Sequence, residues 1–208
     1  MKLTQSFNEE HFYKGVVDFT VREKPVSSQN KNQAKVNFKN RIRKITSTSE
    51  FIITNTCWVH IDYYCSNFHR LKNPGVYDMD NIIKPIIDGL TGAKGIIIDD
   101  VLFDRVSVNW IDTGLNDHFE INIEYPNLLY VKKEDLIFVK SENGWCFPTT
   151  IQEIKDRTES IKLYFDYWEK VQCEDDYYNV IKSLPIQNFV YFSKVKDKEF
   201  NFIDLSAL

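Results

Sequence analysis

The stretch Tyr77-Asp78-Met79-Asp80-Asn81-Ile82-Ile83-Lys84-Pro85-Ile86-Ile87-Asp88-Gly89-Leu90, closed further on by Asp99-Asp100, decides how the rest of the chain is read. Its spacing predicts a helix from about Asn81. Ile82, Ile83, Ile86, Ile87 and Leu90 then share one broad apolar face at a period of 3.6. Asp80, Lys84 and Asp88 lie together on the other side, each one turn from the next. Asp78 and Asp80 stand at the helix start, where the unpaired amides favour negative charge. Pro85 has no backbone N–H, so a kink is expected in the first turn. A helix held to a core by one face and offering carboxylates and a lysine on the other suits an active site.

Upstream, Val16 to Val21 alternates like a strand, and a polar turn follows at residues 24–30. A helix from about Lys31 to Ile45 should turn Ala34, Phe38, Ile42 and Ile45 inward. Between Arg22 and Lys44 stand eight basic residues (Arg22, Lys24, Lys31, Lys35, Lys39, Arg41, Arg43 and Lys44) against one acidic, Glu23, a local charge of +7. A solvated amphipathic helix is the plain account of such a face; one acidic residue against eight basic ones favours nucleic-acid contact. The whole chain carries −4. A local basic patch still binds phosphate, because salt screens charge beyond about 8 Å.

Phe51 to Tyr64 is rich in β-formers, with His60 read as structural. A polar loop at 66–75 carries Arg70 and Lys72 towards Asp78; His69 in it is a candidate acid, with a solvated loop histidine the favoured reading. After the central helix come a glycine-punctuated turn at 91–95, the apolar run Ile96-Ile97-Ile98, and strands at 101–110 and 118–125 joined as a hairpin. The order β-α-β-α-β-β predicts an α+β domain over residues 1–126, with helices on one face of a mixed sheet.

Residues 127–208 form a separate C-terminal extension with strands, helices and no catalytic constellation. Ser141-Glu142-Asn143-Gly144 closes one hairpin, and Thr150-Ile151-Gln152-Glu153 is a capping box opening a helix to about Val171. A shorter helix spans about 176–184, and 189–195 with 199–205 read as a second hairpin. The favoured role of the extension is packing or binding of a protein partner.

Composition narrows the class. With 43% hydrophobic and 14% aromatic residues, 208 residues can bury a real core, and seven glycines and six prolines argue against a fibrous or disordered chain. The first ten residues lack a signal-peptide apolar run, and no segment approaches the ~18 apolar residues of a membrane span. Cys57, Cys65, Cys146 and Cys173 show no C-x-x-C spacing, so neither a zinc site nor a disulfide framework is expected. A reduced, cytoplasmic protein without membrane contact is the simplest expectation.

The acids carry the chemistry. Asp78, Asp80, Asp99 and Asp100 would repel one another if crowded without a cation. Carboxylate oxygens are the hard ligands that Mg²⁺ or Mn²⁺ prefers. Such an ion activates water and stabilises the leaving oxygen of a phosphodiester. Lys84 can grip the scissile phosphate. Asp88 lies about 12 Å along the helix from Asp80, too far to share one ion, and is read as the support of Lys84. A D-x-D followed by D-D is common among surface acids and caps. The apolar face behind it, the lysine and the basic helix upstream favour function.

The pattern D-x-D-N-x-x-K-x-x-x-D-x-L…D-D resembles the signature of the RusA family of Holliday junction resolvases. Pro25-Val26-Ser27-Ser28-Gln29 and the basic helix after it add to the likeness, which covers roughly residues 14–126. The resemblance implies a RusA-like α+β homodimer, phage-borne or bacterial, that cuts branched DNA in recombination and repair with Mg²⁺ or Mn²⁺. It makes Asp78, Asp80 and Asp100 metal ligands, Asp99 an accessory acid and Lys84 the lysine near the phosphate. Lys31, Lys35, Lys39, Arg41, Arg43, Lys44, Arg70 and Lys72 would hold DNA. Two features depart from the family: residues 1–126 carry 15 basic against 16 acidic residues, and the extension is no part of the family core. The competing reading is a non-catalytic RusA-like protein that binds DNA or a partner through its extension.

Overall fold

The computed structural model describes residues 15–24, 26–28, 30–72, 78–114, 116–125, 129–182 and 189–208. Pro25, Gln29, Tyr77 and the expected boundary at Pro126 lie outside the described residues. The chain is α+β, and no described helix is long and apolar enough to cross a membrane.

Strands β1 (Val16–Val21), β3 (Cys57–Tyr64), β4 (Phe103–Ile111) and β5 (His118–Glu124) form a mixed sheet in the order β1-β5-β3-β4. β5 runs antiparallel to both β1 and β3, and β3 runs parallel to β4. Val17, Phe19 and Val21 of β1, Val59, Ile61 and Tyr63 of β3, and Phe119, Ile121 and Ile123 of β5 fill one buried face at a two-residue period. Helices α1 (Asn32–Thr46) and α3 (Met79–Leu90) contribute Phe38, Ile42, Ile45, Ile82, Ile86 and Leu90 to the same core.

The expected hairpin between residues 101–110 and 118–125 does not form. The connection from β3 to β4 passes through α3, and a helical crossover returns the chain parallel to the strand it left. β4 is thereby an edge strand with no fully buried residue, and the apolar β5 takes the central place on the other side of β3. Two further expectations are corrected in this half. The 51–64 run is two strands, β2 (Phe51–Ile53) and β3, and the 66–75 loop contains a short helix, α2 (Asn67–Lys72).

β2 pairs with β6 (Tyr130–Lys132), beyond residue 126. β7 (Leu136–Lys140) and β8 (Trp145–Thr150) form the expected hairpin. The Thr150–Glu153 capping box opens α4 (Ile151–Glu169), with Glu153 N–H donating to Thr150 Oγ1 at 3.1 Å and Thr150 N–H to Glu153 Oε2 at 3.2 Å. Ile161 and Phe165 of α4 pack with Val139, Phe147 and Phe189 in a second core. α5 spans Glu174–Ile181. The second expected hairpin is absent: β9 (Val190–Tyr191) pairs with β8 and β10 (Asn201–Asp204) runs parallel to β7, so the two strands lie on opposite edges of one sheet. The short helix α6 (Phe192–Val195) turns the chain between them. Leu136, Phe138, Cys146, Val190 and Val195 reach into the main core, which residues on both sides of 126 therefore share.

Candidate active site

α3 buries Ile82, Pro85, Ile86, Gly89 and Leu90, so its core face is rotated slightly from an all-isoleucine stripe and leaves Ile83 and Ile87 half-buried. Gly89 is where α1 comes closest: a Cβ there would sit 2.8 Å from Ile42 Cβ. The helix runs unbroken through Pro85. With no N–H at Pro85, the carbonyl of Asn81 lacks its partner one turn on. The backbone N–H of Ser28 supplies it at 2.7 Å, and Ser28 Oγ also donates to Asn81 Oδ1. The proline therefore creates the place where the loop after β1 docks beside the acids.

Asp78 and Asp80 are exposed at the N-terminus of α3. Asp80 Oδ1 accepts the Asn81 N–H at 2.8 Å, and Asn81 Nδ2 reaches Asp78 Oδ2 at 3.4 Å. A hydrogen bond shared with Asp80, together with the repulsion of that neighbouring charge, holds the Asp78 carboxyl above the usual carboxylate range. Lys84, one turn on, donates to Asp88 Oδ1 at 2.6 Å and lies 3.9 Å from Asp100 Oδ2. The bond to Asp88, then the charges of Asp88, Asp100 and Asp99, raise the Lys84 ammonium above its ordinary value despite some burial. Lys84 is thus a fixed cation at neutral pH, and Asp88 supports it as its spacing predicts.

Asp99 differs from its neighbour. Its side chain is 2% exposed, Oδ1 accepts the Val101 N–H at 3.0 Å, and Oδ2 pairs with Lys198. Both oxygens are thus taken up within the chain, and Asp99, expected as an accessory metal acid, is the anionic half of a buried ion pair. Lys198 also reaches Thr91 Oγ1 at 3.3 Å, and its carbonyl accepts the Ala93 N–H at 3.1 Å. Nothing in the spacing of Lys198, far along the chain, signals this contact.

The basic residues of α1 divide. Lys35 and Lys39 line a groove of about 510 Å³ with Ser28, Asn32, Val36, Lys84, Pro85 and Asp88. Burial lowers the Lys39 pKa, with the nearby Asp88 opposing and the cations Arg43, Lys198 and Lys84 adding to the fall. Lys31 and Lys44 are exposed. Arg41 pairs with Glu23, and Arg43 is half-buried, donating to the Thr91 carbonyl at 3.3 Å. Arg43 is therefore a tie to the turn after α3 and is withdrawn from the expected DNA face. On α2, the Arg70 guanidinium stacks 4.6 Å over Trp110 and Lys72 lies 5.8 Å over Phe68. His60 is structural, with ring nitrogens meeting Ser107 Oγ at 2.6 Å and Asp62 Oδ1 at 3.0 Å.

Among the described residues, three donors from histidine, cysteine or acids gather within 4.8 Å of one another only at Cys65, His69 and Asp117. Asp78, Asp80, Asp99 and Asp100 do not meet that closeness. Mg²⁺ commonly takes one or two protein carboxylates and fills its shell with water and phosphate. The Asp78–Asp80 pair, exposed side by side at the start of α3, fits that donor set; Asp100 faces Lys84. The Cys65–His69 spacing is that of one helical turn, the one trace of the other cluster in the sequence. No family model and no curated protein matches this chain.

Proposed function

We propose that the protein is a metal-dependent endonuclease that hydrolyses phosphodiesters in branched DNA. The observation that carries the reading is Lys84: a cation fixed between Asp88 and Asp100, one turn from the Asp78–Asp80 pair and on the wall of a groove shared with Lys35 and Lys39. The resemblance to the RusA signature supplies the reaction class and the substrate.

Asp78 and Asp80 would hold Mg²⁺ or Mn²⁺, while Asp100 lies beside Lys84. When bound, the ion lowers the pKa of water and stabilises the leaving oxygen. The chain's own contribution is positional. Lys84 stays protonated and offers its charge to the scissile phosphate. Asp88 restrains the lysine so that little freedom is lost on binding. Lys35 and Lys39 receive the neighbouring backbone phosphates, whose negative charge relieves the crowding of cations around Lys39. A homodimer would present two such sites about a two-fold axis to the approximate two-fold symmetry of a four-way junction.

The test compares wild type with Asp80→Asn on a labelled four-way junction, a fork and a linear duplex, with and without Mg²⁺. Wild type cuts the junction only with the metal, while Asp80→Asn binds it at least as well and leaves it whole, since one repulsive charge is gone. Binding without cleavage by wild type, in Mg²⁺ and in Mn²⁺, replaces the enzyme with a DNA- or partner-binding protein.

A further inference from the structure

We propose a second metal site, for Zn²⁺ or a similar borderline-soft divalent ion, at Cys65, His69 and Asp117. The three residues come from different places: Cys65 follows β3, His69 lies one helical turn on in α2, and Asp117 ends the loop before β5. Their Sγ, ring nitrogen and carboxylate oxygen lie within 4.8 Å of one another.

The donor set and its spacing both suit zinc. Zinc binds thiolate, imidazole and carboxylate at about 2.0–2.3 Å in tetrahedral geometry, which sets neighbouring donors about 3.4 Å apart. His69 Nδ1 stands 3.7 Å from Asp117 Oδ1, longer than a hydrogen bond and close to that separation. Nδ1 is buried while the His69 side chain as a whole is 43% exposed, so the inward nitrogen faces the cluster and the ring edge borders solvent. Three protein donors with a solvent-accessible side give the open pattern, in which water takes the fourth position.

The surroundings prepare Asp117 for this role. Its other oxygen, Oδ2, receives the Tyr63 hydroxyl at 3.5 Å and lies 3.7 Å from Lys24 Nζ. Such outer contacts orient a ligating carboxylate. The Lys24 side chain is 62% exposed and withdraws into solvent when a cation enters.

A nucleophilic triad would need the same three residue types, but Cys65 Sγ is fully enclosed and its thiol donates to the Ser66 carbonyl at 3.5 Å. A nucleophile must touch its substrate, and an enclosed sulfur is out of a substrate's reach, whereas an ion held by its own chain's donors is not. Metal binding breaks the S–H bond, forms a metal–sulfur bond and releases the proton to solvent.

The experiment uses the full chain, stripped with chelator and titrated with Co²⁺, which reports thiolate ligation by a charge-transfer band in the near ultraviolet. Wild type should develop the band to one Co²⁺ per chain, release about one proton per ion in weakly buffered solution, and lose the band when Zn²⁺ displaces Co²⁺. Cys65→Ser and His69→Gln should lose it; Cys173→Ser, at the exposed cysteine, and Asp80→Asn should keep it. Because His69 is partly exposed, its variant tests the site even where Cys65→Ser fails to fold. No band in wild type, or a band lost with Cys173→Ser and kept in His69→Gln, overturns the proposal. Neither result depends on DNA cleavage, so the site stands or falls apart from the nuclease reading.

Discussion

Asp80 and Asp99 stand at the two ends of the segment that makes the candidate site, and the chain treats them in opposite ways. Asp80 and its neighbour Asp78 are exposed at the start of α3, crowded enough that one carboxyl keeps its proton longer than usual. Asp99, at the far end, is buried and neutralised by Lys198 from the C-terminal segment. Carboxylates exposed and crowded are available to a cation that arrives from solvent. A buried carboxylate with a built-in cation has its charge already answered and serves to fix the backbone. The difference predicts that the first pair contributes to function at little benefit to stability, and that the second contributes to stability.

The largest expected effect follows from that contrast. Lys198→Met leaves the Asp99 carboxylate buried without its cation, and removing one partner of a buried pair costs about 3–5 kcal/mol. Urea unfolding of the two proteins reads the loss as a lower midpoint. A cost under about 1 kcal/mol, the worth of an exposed pair, would mean that Asp99 is solvated like Asp80 and would erase the contrast.

Gly89→Ala tests what holds the open end in place. Alanine is the better helix former by about 1 kcal/mol. Its Cβ, however, would stand 2.8 Å from Ile42 Cβ, an atom fixed to the α1 backbone. Overpacking of this kind costs about 1–3 kcal/mol, so clash outweighs propensity and the variant is destabilised. It should also displace α3 from α1 and widen the groove between Lys35, Lys39 and Lys84, weakening the junction binding proposed for that groove. A stabilised variant would show that the two helices can part freely.

How far these features can be read from the sequence depends on how local they are. The elements with strong periodicity, β1, α1 and α3, and the Lys84–Asp88 pair, one turn apart, follow from spacing alone. The capping box at Thr150 does too, because all its partners lie within four residues. Strand order is less local. A hairpin reading of β4 and β5 relies on their being consecutive, whereas the β3-α3-β4 crossover makes β4 parallel to β3 and sends β5 across to β1. The polar Asp104 and Arg105 in β4, beside the alternating Phe119, Ile121 and Ile123 of β5, are the sequence's trace of which strand takes the edge. Least legible are contacts made by a single side chain from a remote segment. Lys198 on Asp99 and Asp117 beside Cys65 and His69 leave no periodic mark. Cys65 and His69 pass unnoticed where only C-x-x-C spacing is taken as a metal signal.

The smallest effect is the most direct on the open end. A carboxyl whose folded pKa lies above its unfolded value near 3.9 binds more protons in the native state between those two values. Its stabilising share is therefore present at low pH and disappears as pH rises through the folded value. For Asp78 the hydrogen bond and charge of Asp80 are the leading causes of the rise. Asp80→Asn removes the charge, so Asp78 should titrate at lower pH, seen as a shift of its carboxyl carbon resonance. Saturating Mg²⁺ should move wild-type Asp78 the same way, because a cation favours the ionised form. In Asp80→Asn the added shift from Mg²⁺ should shrink, since half of the donor pair no longer carries charge. An Asp78 titration indifferent to Mg²⁺ would place the ion elsewhere and leave the crowding of these two acids without a chemical purpose.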